Sequence, residues 1–205
     1  MIRDGIPFVL VPLAAALLAA LTGYWYVAAA LLLLALFMAY FFRDPERAPL
    51  SEQDIIVAPA DGRVTRVARM IANDEGSPQV VSIFLSVFDV HINRAPIAGE
   101  IVDVAYTKGR FMIATREEAS VVNEQNALTI RGERMTVVCK QIAGVLARRI
   151  VCWKSKGEKV NLGERFGLIK FSSRTDLVLP PEVEVSVRVG DRVRGGVSVI
   201  GRLRG

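Results

Sequence analysis

From Ile6 to Phe42 the chain carries no charged side chain, and nothing else in its 205 residues restricts folding so sharply. Charge is spread through the remainder, so this first segment belongs to a different solvent. At about 1.5 Å per residue one helix through the run would far exceed a hydrocarbon core of roughly 30 Å. The segment is therefore expected to fold back, and Thr22-Gly23 is the break. It separates Ile6 to Leu21 from Tyr24 to Phe42, each arm just long enough to cross, with Tyr24, Trp25 and Tyr26 suited to a membrane interface. Arg3 precedes the first arm and Arg43 and Arg47 follow the second, which predicts that both ends face the cytoplasm. A cleaved signal peptide is disfavoured because the apolar pattern resumes after Gly23. A shallow re-entrant hairpin, favoured by Pro7, Pro12 and the short first arm, stays open beside the spanning one.

The expected division is a helical hairpin over residues 1–43 and one domain over 44–205. From Ser51 on, Val and Ile dominate and glycines recur at short intervals, so the domain reads as mainly β, with one short helix near Thr115 to Ala119. Ile55 to Val64 and Val185 to Val193 each read as strand, turn and strand. Their turns resemble the paired turns of biotinyl and lipoyl carrier domains, which makes a membrane-tethered carrier or adaptor module a rival reading. A carrier needs a modifiable lysine at a turn tip, and neither Asp61-Gly62 nor Gly190-Asp191 supplies one.

A formal charge of +5 beside a membrane segment points to anionic lipid as the partner. Nucleic acid is not expected, because the arginines are scattered and do not interleave with aromatic residues. Cys139 and Cys152 lie in apolar strands without metal-ligand spacing and read as buried free thiols of a reducing compartment. With one histidine in the chain, no metal site is expected.

Gly163 to Pro180 holds two strand-like runs, Phe166 to Phe171 and Thr175 to Leu179, with Ser172 and Ser173 between them. Two adjacent hydroxyls interrupt an otherwise buried pattern. They read either as a bend whose hydroxyls bond the local backbone, or as a nucleophile aimed at its own peptide bond. In the second reading the Ser173 hydroxyl attacks the carbonyl of Ser172, an N-to-O acyl shift gives an ester, and elimination cuts the chain. What remains of Ser173 is a pyruvoyl group, a ketone that forms a Schiff base with a substrate amine and accepts the electrons released as CO2 departs.

That stretch resembles the self-processing site of phosphatidylserine decarboxylases, in particular their short membrane-bound prokaryotic form. So do Phe41-Phe42-Arg43-Asp44-Pro45, Ala58-Pro59-Ala60-Asp61-Gly62, Phe84 to Pro96, Asn123-Glu124-Gln125-Asn126 and Gln141-Ile142-Ala143-Gly144, in the right order over almost the whole chain. The resemblance implies a proenzyme that splits between 172 and 173 into a β fragment, 1–172, and an α fragment, 173–205, which stay associated. It implies a carboxy-lyase of phospholipid biosynthesis in the cell (inner) membrane, its catalytic domain cytoplasmic, turning phosphatidylserine into phosphatidylethanolamine. A homo-oligomer is left open.

By the same resemblance Asp61 and His91 join Ser173 in the catalytic group, Asp61 orienting the base and His91 moving protons in maturation, in carbanion protonation, or in both. Longer members carry a second histidine where this chain has Arg94, which stays protonated and is expected to bind the substrate carboxylate or phosphate instead. Asn123 and Asn126 are expected near the pyruvoyl end. Arg174 reads as a phosphate ligand, a solvated charge or a partner of Asp176. The family has Gly-Ser at the scissile bond and this chain has Ser172-Ser173. Glycine relaxes the backbone at a strained bond, so Ser172 slows or arrests cleavage in one reading and leaves a processing-deficient lipid-binding homologue. In the other, the Ser-Ser bond processed in pyruvoyl histidine decarboxylases shows that the chemistry proceeds.

Overall fold

The computed structural model describes every residue except 49–51, 53, 115, 117, 146–148, 172 and 205. The chain divides into two units, Met1–Glu46 and Arg47–Gly205. The sequence boundary at residue 43 lies three residues before that division.

In the first unit a 3-10 turn, Arg3–Gly5, leads into α1 (Ile6–Leu21), and α2 (Trp25–Phe41) returns against it. The reversal falls at the expected break. Thr22 Oγ1 donates to the carbonyls of Leu18 at 3.0 Å and Ala19 at 3.1 Å, and Gly23 takes a left-handed φ of 84° that ends the helix. Leu10, Val11, Leu17, Leu18 and Leu21 stay exposed, so α1 is apolar on faces no protein covers. Arg3–Leu21, 19 residues, is long and apolar enough to cross a membrane, while α2 has 17.

The second unit is built from antiparallel strands. In chain order these are β1 (Ile55–Val57), β2 (Gly62–Arg69), β3 (Gln79–Leu85), β4 (Ile92–Arg94), β5 (Gly99–Thr107), β6 (Gln125–Arg131), β7 (Thr136–Ala143), β8 (Arg149–Cys152), β9 (Lys159–Val160), β10 (Arg165–Lys170), β11 (Ser173–Leu179), β12 (Val183–Val185), β13 (Arg192–Val193) and β14 (Val199–Leu203). One sheet has eight strands in the order β13-β2-β3-β11-β7-β6-β5-β9. Two smaller sheets run β4-β10-β8 and β1-β14-β12.

The two turns read from sequence do not close hairpins. β1 pairs with β14 and β2 with β3 and β13, so Ala58 to Asp61 carries the chain from one sheet to another. The same holds for the segment from β12, which pairs with β14, to β13. The helix expected near Thr115 to Ala119 is α3 (Ala119–Val122), beginning where that stretch ends; Thr115 itself lies outside the described residues.

Along β11, Leu177 and Leu179 enter the core with Val81, Ile83 and Leu85 of β3 and Val137 and Cys139 of β7. Period-two alternation therefore sends Ser173 and Thr175 to this face and Arg174 and Asp176 to the other. Both cysteines are free thiols, Cys139 buried and Cys152 half-buried. Burial pushes the Cys139 thiol far above its usual range, which suits a packing residue.

Candidate active site

The apolar run from Phe166 and the run to Leu179 belong to different sheets, β10 to the small one and β11 to the large one. β10 ends at Lys170 and β11 begins at Ser173. Phe171 has a φ of 66°, a left-handed conformation that a side chain with Cβ rarely adopts. Ser172 lies outside the described residues. Ser173 then starts β11 between Leu85 of β3 and Ala143 of β7. It is fully buried, and its Oγ meets no hydrogen-bond partner among the described residues. A turn serine would bond local backbone, so the bend reading does not describe Ser173. A buried hydroxyl left unpaired is uncommon, and it is a group held ready for another partner.

Register aligns the other predicted residues with it. Arg63 of β2, Phe84 of β3, Arg174 of β11, Ile142 of β7 and Gln125 of β6 occupy one row across the sheet. One step beyond that row stand Gly62, Leu85, Ser173, Ala143 and Glu124. Asp61, the Ser86 to His91 loop, Ser173 and Asn123 thus lie toward the same end of the large sheet. Close approach is needed there: a Cβ on Gly62 would collide with the Phe84 carbonyl.

His91 is 3% exposed and ends the loop that leaves β3 at Leu85. Its carbonyl accepts from Ile169 of β10 at 3.3 Å, which ties it to the strand that runs into the crossing. Its Nδ1 lies 2.9 Å from the Asp89 carbonyl. A carbonyl only accepts, so Nδ1 carries the proton and Nε2 is the basic nitrogen of the neutral ring. Asp89 fixes the loop in turn, its carboxylate accepting from the amide of Ser86 at 2.8 Å and from its hydroxyl at 2.6 Å.

Asp61 has partners that sequence reading missed. Arg47 donates from Nη1 to Oδ1 at 2.6 Å and from Nη2 to Oδ2 at 2.7 Å, and the Gly195 amide donates to Oδ1 at 2.9 Å. Asp61 and His91 are thus each fixed by separate contacts. Sequence reading took Arg47 for a cation flanking the hairpin. Its place two residues past Pro45 carries no signal that it pairs with Asp61, 14 residues on.

The remaining predicted residues make contacts with the fold around the site. Arg174 is 2% exposed and forms a bidentate pair with Asp176, both bonds 2.8 Å, while its Nη1 donates to the carbonyls of Ala114 at 3.1 Å and Arg116 at 2.9 Å. Of its three readings the Asp176 pair is the one observed, and the guanidinium is turned away from the face that holds Ser173. Arg94, 5% exposed, donates to the Gly163 carbonyl at 3.1 Å and lies against Gly196. Asn123 bonds both backbone groups of Met112 at 2.9 Å and donates to the Ala143 carbonyl at 2.7 Å.

Asn126 belongs to a network on the core face, two rows from Ser173. It donates to Gln141 Oε1 at 3.0 Å, Gln141 Nε2 donates to Asn93 Oδ1 at 2.9 Å, and Asn93 Nδ2 donates to Thr175 Oγ1 at 3.0 Å. Asn93 lies on β4, so these bonds fasten the small sheet to the large one directly beside the crossing. Gly167 of β10 makes room, since a Cβ there would stand 2.9 Å from Gln141 Nε2. Among the described residues no cluster of His, Cys, Asp and Glu could hold a metal ion.

The arrangement is a buried hydroxyl after a strained backbone, with a buried histidine and an ionic pair toward the same sheet end. Such a set suits attack by Ser173 on the carbonyl that precedes it. Comparison with known proteins gives a family for it. The family model described as phosphatidylserine decarboxylase matches residues 34–201. The phosphatidylserine decarboxylase proenzyme of Solibacter usitatus is 52% identical over 189 residues, covering 92% of this chain and 89% of its own. That of Symbiobacterium thermophilum is 49% identical over 207 residues (98% and 94%), and that of Magnetococcus marinus 42% identical over 207 (99% and 95%).

Proposed function

Because the chain belongs to the phosphatidylserine decarboxylase family, as a proenzyme of its short prokaryotic form, we propose that Ser173 cuts the bond before it and becomes the pyruvoyl group of the mature carboxy-lyase. The observation that carries this reading is the buried, unpartnered Oγ of Ser173 at a strained crossing between two sheets.

In maturation His91 Nε2 takes the Oγ proton as Oγ bonds the Ser172 carbonyl carbon. The C–N bond then breaks, the amine takes that proton, and an ester replaces the amide. Loss of the Ser173 Cα proton and cleavage of the Cβ–Oγ bond release the Ser172 carboxylate. Water then converts the resulting dehydroalanine to the ketone with loss of ammonia. Asp61, held by Arg47 and the Gly195 amide, is the acid of the proposed group at this sheet end. The pyruvoyl carbonyl, once formed, supplies the electron sink for loss of CO2. His91 would also hand a proton to the product carbon.

Cleavage leaves both fragments joined. The α fragment would contribute β11, β13 and β14, which pair with β3 and β7, with β2 and with β1 of the larger one. The substrate is a lipid, and the apolar hairpin would keep the enzyme where that lipid resides, with the domain on the cytoplasmic side and anionic lipid as its surface partner. Intact mass and denaturing gels of the purified chain, with hydroxylamine to trap the ester, test the reading. Two fragments, the smaller spanning residues 173–205 with a blocked N-terminus, are expected. A single chain that stays whole even after Ser172→Gly would overturn it. Recovery of cleavage only in Ser172→Gly would instead identify a natural arrest at Ser172.

A further inference from the structure

The segment Lys108-Gly109-Arg110-Phe111-Met112-Ile113-Ala114-Thr115-Arg116 carries three cations about its apolar residues, and Glu117 and Glu118 follow it. Phe111 is 39% and Ile113 51% exposed, and Lys108, Arg110 and Arg116 are exposed beside them. Apolar tips in water usually go with a loose loop, but this one is held from beneath. Buried Asn123 occupies both backbone groups of Met112, and buried Arg174 holds the carbonyls of Ala114 and Arg116. The Arg110 amide donates to Val122 at 2.7 Å and its carbonyl accepts from Glu124 at 2.9 Å. The base is therefore bonded to the side chain of the residue after Ser173 and, through Asn123, to the carbonyl of Ala143, which pairs with Ser173.

We propose that this loop is a membrane contact of the catalytic domain itself. Phe111 and Ile113 enter the acyl boundary of an anionic bilayer while Lys108, Arg110 and Arg116 lie at the headgroups. The proposal rests on the reading that Ser173 is the reacting residue, since that makes the loop the rim of the site and turns the site toward its lipid. Charge complementarity selects the occupant.

The test uses the full chain in nanodiscs of phosphatidylcholine and phosphatidylglycerol, with an environment-sensitive dye on Ile113→Cys or Met70→Cys in a Cys152→Ser background. The dye at 113 is expected to shift to the blue and to be quenched by doxyl-labelled lipid chains, less so when phosphatidylglycerol is left out. The dye at 70 should be quenched by aqueous iodide instead. Equal iodide quenching at both positions overturns the proposal, as does shielding of 113 from lipid and iodide alike, which would mark contact with a second copy. Because the measurement works equally on Ser173→Ala, it stands apart from failure of the cleavage reading. In the cleaved enzyme, Phe111→Ser with Ile113→Ser should lower the ratio of turnover on bilayer lipid to that on short-chain monomeric phosphatidylserine about tenfold. An equal fall on both substrates would count against a membrane role.

Discussion

Arg47 holds Asp61 by both arms of its guanidinium, at 2.6 and 2.7 Å, and bonds the Gly195 carbonyl at 2.6 Å with the same side chain. Both side chains are largely buried, 9% and 14% exposed. Fork-to-fork pairing fixes the plane of the carboxylate as well as its charge, which a lysine cannot do. Arg47 is also the first residue of the second unit. The chain that leaves the apolar hairpin thus enters the domain by setting the acid of its proposed catalytic group.

Arg47→Ala should therefore slow self-cleavage as Asp61→Asn does, by roughly 10- to 100-fold, the usual effect of losing a residue that orients a catalytic one. Arg47→Lys should recover part of the rate. The double variant Arg47→Ala, Asp61→Asn should be no slower than the worse single one, because the two act as one unit. Gel time courses of cleavage measure this. Multiplying effects would show that Arg47 acts on something other than Asp61.

The strain at Phe171 makes a separate prediction. A residue with Cβ in the left-handed region costs roughly 1–2 kcal/mol, and glycine there costs nearly nothing. Phe171→Gly should then fold with its strands unchanged yet cleave more slowly, since the backbone before the scissile bond is relaxed. Circular dichroism checks the fold and intact mass the cleavage. Faster cleavage in this variant would mean that the crossing stores no useful strain.

The sequence made the hairpin legible because one solvent accounts for its entire composition, and Thr22-Gly23 turned out to be the reversal. The two runs around Ser172-Ser173 were legible too, as β10 and β11. Partner choice was not. Nothing in Ala58 to Asp61 says that β1 pairs with β14, more than a hundred positions away, so two crossings read as hairpins. The polar network escaped for the same reason, Asn93 lying 48 residues from Gln141 and 82 from Thr175. Residue type alone marked Arg174 as a possible phosphate ligand. Only its burial and its two bonds to Asp176 assign it to the fold.

That pair is exacting. Asp176→Asn leaves a guanidinium buried without its counter-charge and should destabilise the domain by about 3–5 kcal/mol. Replacing both, as Arg174→Met with Asp176→Leu, should cost less than Asp176→Asn alone, although the carbonyls of Ala114 and Arg116 lose a donor. Denaturant midpoints in a Ser173→Ala background, where one chain is present throughout, compare the two directly. A double variant weaker than the single one would locate the stabilisation in the carbonyl bonds and not in the ion pair.

Lys154 and Glu164 are expected to give the domain a pH dependence of their own. Their charged atoms are 2.8 Å apart, and the Asn161 amide also donates to Glu164 at 2.8 Å. Lys154 foremost, then the Asn161 amide, holds the Glu164 carboxyl below the usual carboxylate range, while the Glu164 carboxylate raises the Lys154 ammonium above its own. For Glu164 the stabilisation is complete above the ordinary carboxylate value and disappears as pH falls through the lowered one. For Lys154 it is complete below the ordinary ammonium value and disappears as pH rises through the raised one. Stability from this pair should thus be flat near neutrality and fall at both extremes. Lys154→Met should flatten both limbs, with little change at neutral pH because exposed pairs are worth at most about 1 kcal/mol. Carboxyl chemical shifts of Glu164 followed by NMR should titrate at lower pH in the parent than in Lys154→Met. Coincident titrations would remove Lys154 as the cause and leave the Asn161 amide alone to hold the charge.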